Sequence, residues 1–305
     1  MKSIAKWAVA ALAVIVPLAG ITPAYAATYP SQMSYVVVPH PDDEWQAWAL
    51  VENSPANYKV FVSMTEGEQS GYCDKPAAGI QPTPAPAGKW SENCALARMN
   101  SWLGFFTKMS ATDPTIPGDW DTVRETVALP ANGYALSTDD GGSIAAADRK
   151  AHVAVDKRGR GAAVMFNLGD GDLTTKEVEW AIKAVLGNRA ALGINTTLPS
   201  YNILGSFSHG GSYGSSCYTY PHPDHYAVHK VLYSYNFGTV GYQSAATCSK
   251  DGDTARTKTV TSKSVNAAWS STGAFKTQYG WLGGYALSAD QRKLFMAPQS
   301  FWQRY

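Results

Sequence analysis

Tyr35-Val36-Val37-Val38-Pro39-His40-Pro41-Asp42-Asp43-Glu44-Trp45 is the stretch on which the reading of the fold turns. Its first four residues are aromatic or β-branched and read as a buried strand. Pro39 and Pro41 cannot donate to a ladder and end it. An imidazole and three carboxylates follow at once. In an open α/β sheet, ligands bind outside the carboxyl ends of the strands, so this cluster is a candidate site. Adjacent carboxylates on a tight turn repel unless positive charge holds them. The N-terminus of a helix over residues 43–51 offers a partial charge, and a divalent cation offers a full one. The plainer reading makes Asp42 and Asp43 helix caps and His40 a loop residue.

A second cluster lies far downstream, in Tyr220-Pro221-His222-Pro223-Asp224-His225 with His229 close behind. Three of the chain's six histidines fall there. His40, one carboxylate and one downstream histidine make a set of two imidazoles and a carboxylate. Such a set leaves one of zinc's four positions open, as catalytic zinc sites do. His225 and His229 are four apart and would share a helix face, but no glutamate base lies between them as in H-E-x-x-H. His222 and His225 together are a further possible pair of ligands.

The chain opens with a short basic stretch around Lys2 and Lys6, then a mostly apolar run broken by Pro17 and Gly20, then Ala24-Tyr25-Ala26. This pattern predicts a secretory signal peptide over residues 1–26; the run is short for a membrane span of about 20 residues. Residues 27–305 remain for the fold. The formal net charge is +1, and no basic run offers a footprint for nucleic acid or for a membrane surface. Ten Trp and seventeen Tyr suit a protein that stacks sugar rings, although aromatics also fill cores. Four cysteines in an exported chain predict two disulfides; local pairing, Cys73–Cys94 and Cys217–Cys248, is the first choice among three connectivities, and a cysteine–zinc site, without C-x-x-C spacing, is the alternative.

Further strands are expected at 58–64, 162–167, 201–207 and 239–243. Helices are expected at 90–106, 144–156, 175–192, from Pro223 to about 235, and at 267–279 and 288–296. Residues 72–88 and 113–142 read as loops, and 245–261 as a hairpin or loop. His152 and His209, without ligand-type neighbours, read as ordinary loop or surface histidines. No repeat or long linker divides the chain. The expected fold is α/β, a mostly parallel sheet with helices on both faces in one domain.

Val38-Pro39-His40-Pro41-Asp42-Asp43-Glu44 and His222-Pro223-Asp224-His225 resemble the two signature motifs of the PIG-L/LmbE-like zinc-dependent N-deacetylases. Weaker likenesses run through Thr65-Glu66-Gly67-Glu68, residues 92–104 and Gly169-Asp170-Gly171-Asp172-Leu173. Residues 275–279 match the family's C-terminal helix only loosely. The resemblance implies a Rossmann-like fold and one Zn2+ held by His40, Asp43 and His225. It implies Asp42 as general base and His222 as the acid or oxyanion-stabilising group. Asp224 would orient or charge His222, Tyr220 would aid the oxyanion, and Glu44 would cap the helix or support the shell. Read from the residues themselves, Asp170 and Asp172 are turn and helix-cap residues or contacts to sugar hydroxyls. The reaction implied is removal of an N-acetyl or other N-acyl group from an N-acetylglucosamine-type sugar or glycoconjugate. Export directs this towards cell-wall sugars, extracellular glycans or secreted antibiotics. The competing class is a non-catalytic, metal-stabilised carbohydrate-binding protein on the same scaffold; intact Asp42 and His222 argue for the enzyme.

Overall fold

β1 (Gln32–Val38) is the spine of the molecule, and every residue after Gln32 is buried. The computed structural model describes residues 30–74, 85, 87–127, 142–205, 222–246, 257–260 and 299–304. The signal-peptide, Tyr220, His209, Cys217–Cys248 and two C-terminal helix predictions lie outside those residues. β2 (Asn57–Ser63) and β6 (Ser200–Gly205) flank β1, both parallel to it. β5 (Gly161–Phe166) runs parallel on the far side of β2. β7 (Gln243–Ala246) is parallel to β6. Antiparallel strands then close both sides. On one side are β4 (Lys150–Val155) and β3 (Arg124–Val127). On the other are β9 (Gln299–Arg304) and β8 (Thr257–Val260). The described sheet has nine strands in the order β3-β4-β5-β2-β1-β6-β7-β9-β8.

Both faces of the parallel centre are covered, which is why β1 reads as a continuous apolar run rather than an alternating one. Val36, Val38 and Phe61 face α1 (Trp48–Glu52) and α2 (Glu92–Thr112), where Trp48, Trp102, Phe105 and Phe106 pack. Tyr35, Val37, Val60 and Val62 face α3 (Thr175–Gly187) and α4 (Pro223–Ser234) through Val178, Ala181, Val185, Val228 and Val231. Each Val or Phe side chain among them contributes about 1.5–3 kcal/mol when taken from water. α3 starts at Thr174, whose hydroxyl accepts from the Glu177 amide while the Glu177 carboxylate returns to the Thr174 amide. This reciprocal cap satisfies two otherwise orphaned donors.

Several predicted elements shift. The helix predicted over 144–156 is a short 3-10 turn, Ala146–Asp148, followed by β4. Pairing with β5 on one side and β3 on the other overrides the helical propensity of its alanines. Ala151 and Val153 fall on one face of the sheet and Ala154 on the other. The helix predicted over 43–51 begins as a 3-10 turn, Asp43–Ala47, before α1. The predicted strand at 239–243 begins only at Gln243. A predicted loop segment carries the edge strand β3, and β8 falls in the segment predicted as a hairpin or loop. Cys73 and Cys94 form the expected disulfide, with Cα atoms 5.6 Å apart.

Candidate metal centre at the carboxyl edge of the sheet

After β1 the chain lays β2, β3, β4 and β5 on one side, running to the edge at β3 and back inward to β5, and then crosses to the opposite side of β1 as β6. The crevice between β1 and β6 is therefore a topological switch point, the place where open α/β sheets bind ligands. His40 and Asp43 leave the end of β1. His222 and His225 enter at the N-terminus of α4, the helix after β6. Asp170 follows β5 on a turn in which Gly169 and Gly171 adopt φ of 84° and 102°. Those backbone conformations favour glycine and turn the Asp170 carboxylate towards His40.

The donor atoms converge tightly. His40 Nδ1 lies 3.0 Å from Asp43 Oδ2. His225 Nε2 lies 3.2 Å from His40 Nδ1 and 3.2 Å from Asp43 Oδ2. Donors about 2.0–2.1 Å from a tetrahedral zinc stand roughly 3.3 Å from one another, so this triangle has the size of one face of such a site. His40, His222 and His225 also form a group able to hold a metal, as do His40, Asp170, His222 and Asp224. These groupings widen the donor set and do not identify the ion.

The other ring nitrogen of His40 is held firmly. Nε2 lies 3.0 Å from Asp224 Oδ2 and 3.1 Å from Asp170 Oδ1. The Gly171 and Leu173 amides donate to the two Asp224 oxygens at 2.8 and 3.1 Å, and the Gln69 amide donates to Asp170 at 2.8 Å. Carboxylates that hold the outer nitrogen of an imidazole fix its tautomer and make its inner nitrogen more basic. Burial works against a charged His40, but hydrogen bonds to Asp170, Asp224 and Asp43 raise its pKa well above the ordinary value. Burial likewise opposes ionisation of Asp43, yet the charge and hydrogen bond of His225, then those of His40, hold its carboxyl far below the usual range. The pocket thus favours positive charge among its carboxylates, whether a proton or a cation supplies it.

Asp42 lies between His40 and Asp43 in the turn. Its φ of 120° is a strained value for a residue with a side chain, costing about 1–3 kcal/mol and typical of functional turns. The turn is braced from both sides. Buried Glu44 accepts from the Asp42 amide at 3.2 Å and from Trp102 Nε1 at 3.1 Å. Arg98 donates to the Pro41 carbonyl at 3.0 Å, and its guanidinium lies 3.9 Å from the Asp42 carboxylate. Neither Arg98 nor Trp102 stands out in the sequence as a site residue, because their roles depend on α2 crossing over this turn.

His222 caps α4: its Nδ1 accepts from the Asp224 amide at 3.3 Å. An accepting Nδ1 leaves the proton of a neutral ring on Nε2. The expected pairing of Asp224 with His222 is the longer contact, 3.9 Å to Nδ1, because Asp224 is turned to His40. Burial first, and then the charge of His40, hold His222 below its ordinary pKa. The three rings remain close, with His222 edge-on to His40 at 4.8 Å between centroids and 5.4 Å from His225. His229, one turn beyond His225, stacks on Tyr233. Asp172 Oδ1 accepts from Ser143 at 3.3 Å, a turn contact. No protein-family model, curated protein or solved structure matches this chain.

Proposed function

We propose that this protein is an exported, zinc-dependent N-deacetylase of the PIG-L/LmbE-like kind, acting on an N-acetylglucosamine-type sugar or glycoconjugate. In this reading residues 27–305 form one Rossmann-like domain. The observation that carries it is the triangle of His40 Nδ1, Asp43 Oδ2 and His225 Nε2, with edges of 3.0–3.2 Å, beside the strained Asp42 turn.

His40, Asp43 and His225 would hold the ion, and Asp170 and Asp224 would hold His40. A bound zinc supplies Lewis acidity, polarising an amide carbonyl and acidifying water. Asp42 is the general base in this reading, because it adjoins a ligand in the chain and lies on the strained turn beside Arg98. It accepts a proton from the attacking water. His222 donates from Nε2–H to the developing oxyanion. The amide C–N bond then breaks, leaving a carboxylate and a sugar amine that takes up the proton. Such donors work because they are already in place when charge develops. Asp224 acts as a positioning residue through His40 rather than through His222.

Zinc content tests the ligand set. After metal removal and reloading, His40→Ala and His225→Ala should each hold one zinc fewer per chain than wild type. Unchanged zinc in both would exclude this set.

A further inference from the structure

A second convergence of ligand-type side chains lies at the β3–β4 edge of the sheet, away from the triangle of His40, Asp43 and His225. His152 sits on β4, directly opposite Glu125 on β3, and Glu92 opens α2 above them. His152 Nε2 is 3.3 Å from Glu92 Oε1 and 3.7 Å from Glu125 Oε2. One ligand atom from each residue lies within 4.8 Å of the other two. His152 is 1% exposed, so it is not the surface histidine expected from sequence. Its two ring nitrogens both face carboxylate oxygens, Nδ1 lying 3.0 Å from Glu66 Oε1. A neutral imidazole carries one N–H, so one of these nitrogens needs a proton or a cation in its place.

We propose that Glu92, Glu125 and His152 form a second divalent-cation site, of the nitrogen-and-carboxylate type that takes zinc. One imidazole nitrogen and two carboxylates are a sufficient donor set, with the remaining position left to water. Glu66 stands where a carboxylate supports the outer nitrogen of a metal-binding histidine. The Glu92 and Glu125 side chains are 49% and 38% exposed, so an ion can enter from solvent without opening the core. Lys150 Nζ lies 3.2 Å from Glu92 Oε2 and 2.9 Å from Glu125 Oε2 and competes for the same charge. It leaves Glu92 Oε1 to face His152. A bound ion would tie the N-terminus of α2, next to the Cys73–Cys94 disulfide, to the edge strand β3. This site does not depend on the deacetylase reading.

The test uses exposed residues, so that folding is not at stake. ZnCl2 is titrated calorimetrically into metal-stripped wild type, Glu92→Gln/Glu125→Gln and Lys150→Met. Wild type should bind one zinc per chain more than the double variant. Lys150→Met, freed of the competing ammonium, should bind that ion at least several-fold more tightly than wild type. Equal zinc stoichiometry in wild type and the double variant overturns the site, as does a Lys150→Met titration indistinguishable from wild type. Failure of His40 and His225 variants to lose zinc would bear on the first site alone.

Discussion

Asp42 and Asp43 are neighbours in the chain with opposite surroundings. Asp43 is drawn into the two histidines, while Asp42 is held in a strained turn under Arg98. Asp42→Asn should therefore keep its zinc and lose rate by about 10²–10⁴-fold, the usual contribution of a general base. His222→Ala should also keep its zinc and lose kcat by about 10²–10³-fold, as expected for one oxyanion donor. Steady-state kinetics beside elemental analysis checks both, and loss of metal from either variant would make that residue a ligand. The residue types and spacing of both clusters are legible in the sequence. The partner of Asp224 is not. His222 is the N-cap and Asp224 the second residue of α4, and side chains two apart on a helix do not face each other. Proximity in sequence suggests a pair, whereas the helix turns Asp224 towards His40.

At the scale of elements, α2 governs the site from behind. Its Trp102 and Arg98 brace the Asp42 turn, while Phe106 anchors the helix on the sheet. The Phe106 ring is 4.1 Å from Phe61 on β2 and 5.2 Å from Trp102, centroid to centroid. Phe106→Ala should cost about 3–5 kcal/mol of stability, the range for a large aromatic deleted from a packed core. Denaturant unfolding checks this; a loss under about 1 kcal/mol would mean that the cluster collapses around the gap. The apolar runs of β1, β2, β5 and β6 are readable because both faces of each strand are buried. β4 is misread because Ala145, Ala146, Ala147, Ala151 and Ala154 carry a helical propensity that only its two antiparallel neighbours overcome. β9 escapes notice for a related reason: Phe301 and Trp302 pair with β7 and β8, both short strands whose own patterns are weak.

At the scale of the molecule, acidic groups are buried along the carboxyl edge of the sheet, and this shapes its response to pH. Burial first, and the neighbouring Glu66 second, push the Glu68 carboxyl up to about 8. A carboxyl whose folded pKa exceeds its unfolded one binds its proton more tightly in the fold. Its stabilising effect is then complete below the ordinary glutamate range and is lost as pH rises through about 8. Metal-stripped wild type should thus melt at progressively lower temperature as pH is raised from about 5 to about 9. Glu68→Gln should lack that part of the fall. Parallel slopes in the two proteins would remove Glu68 from the account. The parallel centre of the sheet and its switch point could be inferred from strand patterns and the two histidine clusters. The buried Glu66, Glu68 and His152 could not, because nothing local marks a charged residue as buried.

The most direct measurement is acetate release from a panel of N-acetylated amino sugars: N-acetylglucosamine, its β-linked oligomers and its inositol glycoside. It is made with zinc-loaded protein, after chelation and after zinc is restored. Acetate and free amine are expected in equal amounts, abolished by the chelator and recovered with zinc. Absence of acetate from every member of the panel with fully zinc-loaded protein, or release that the chelator leaves untouched, would contradict it.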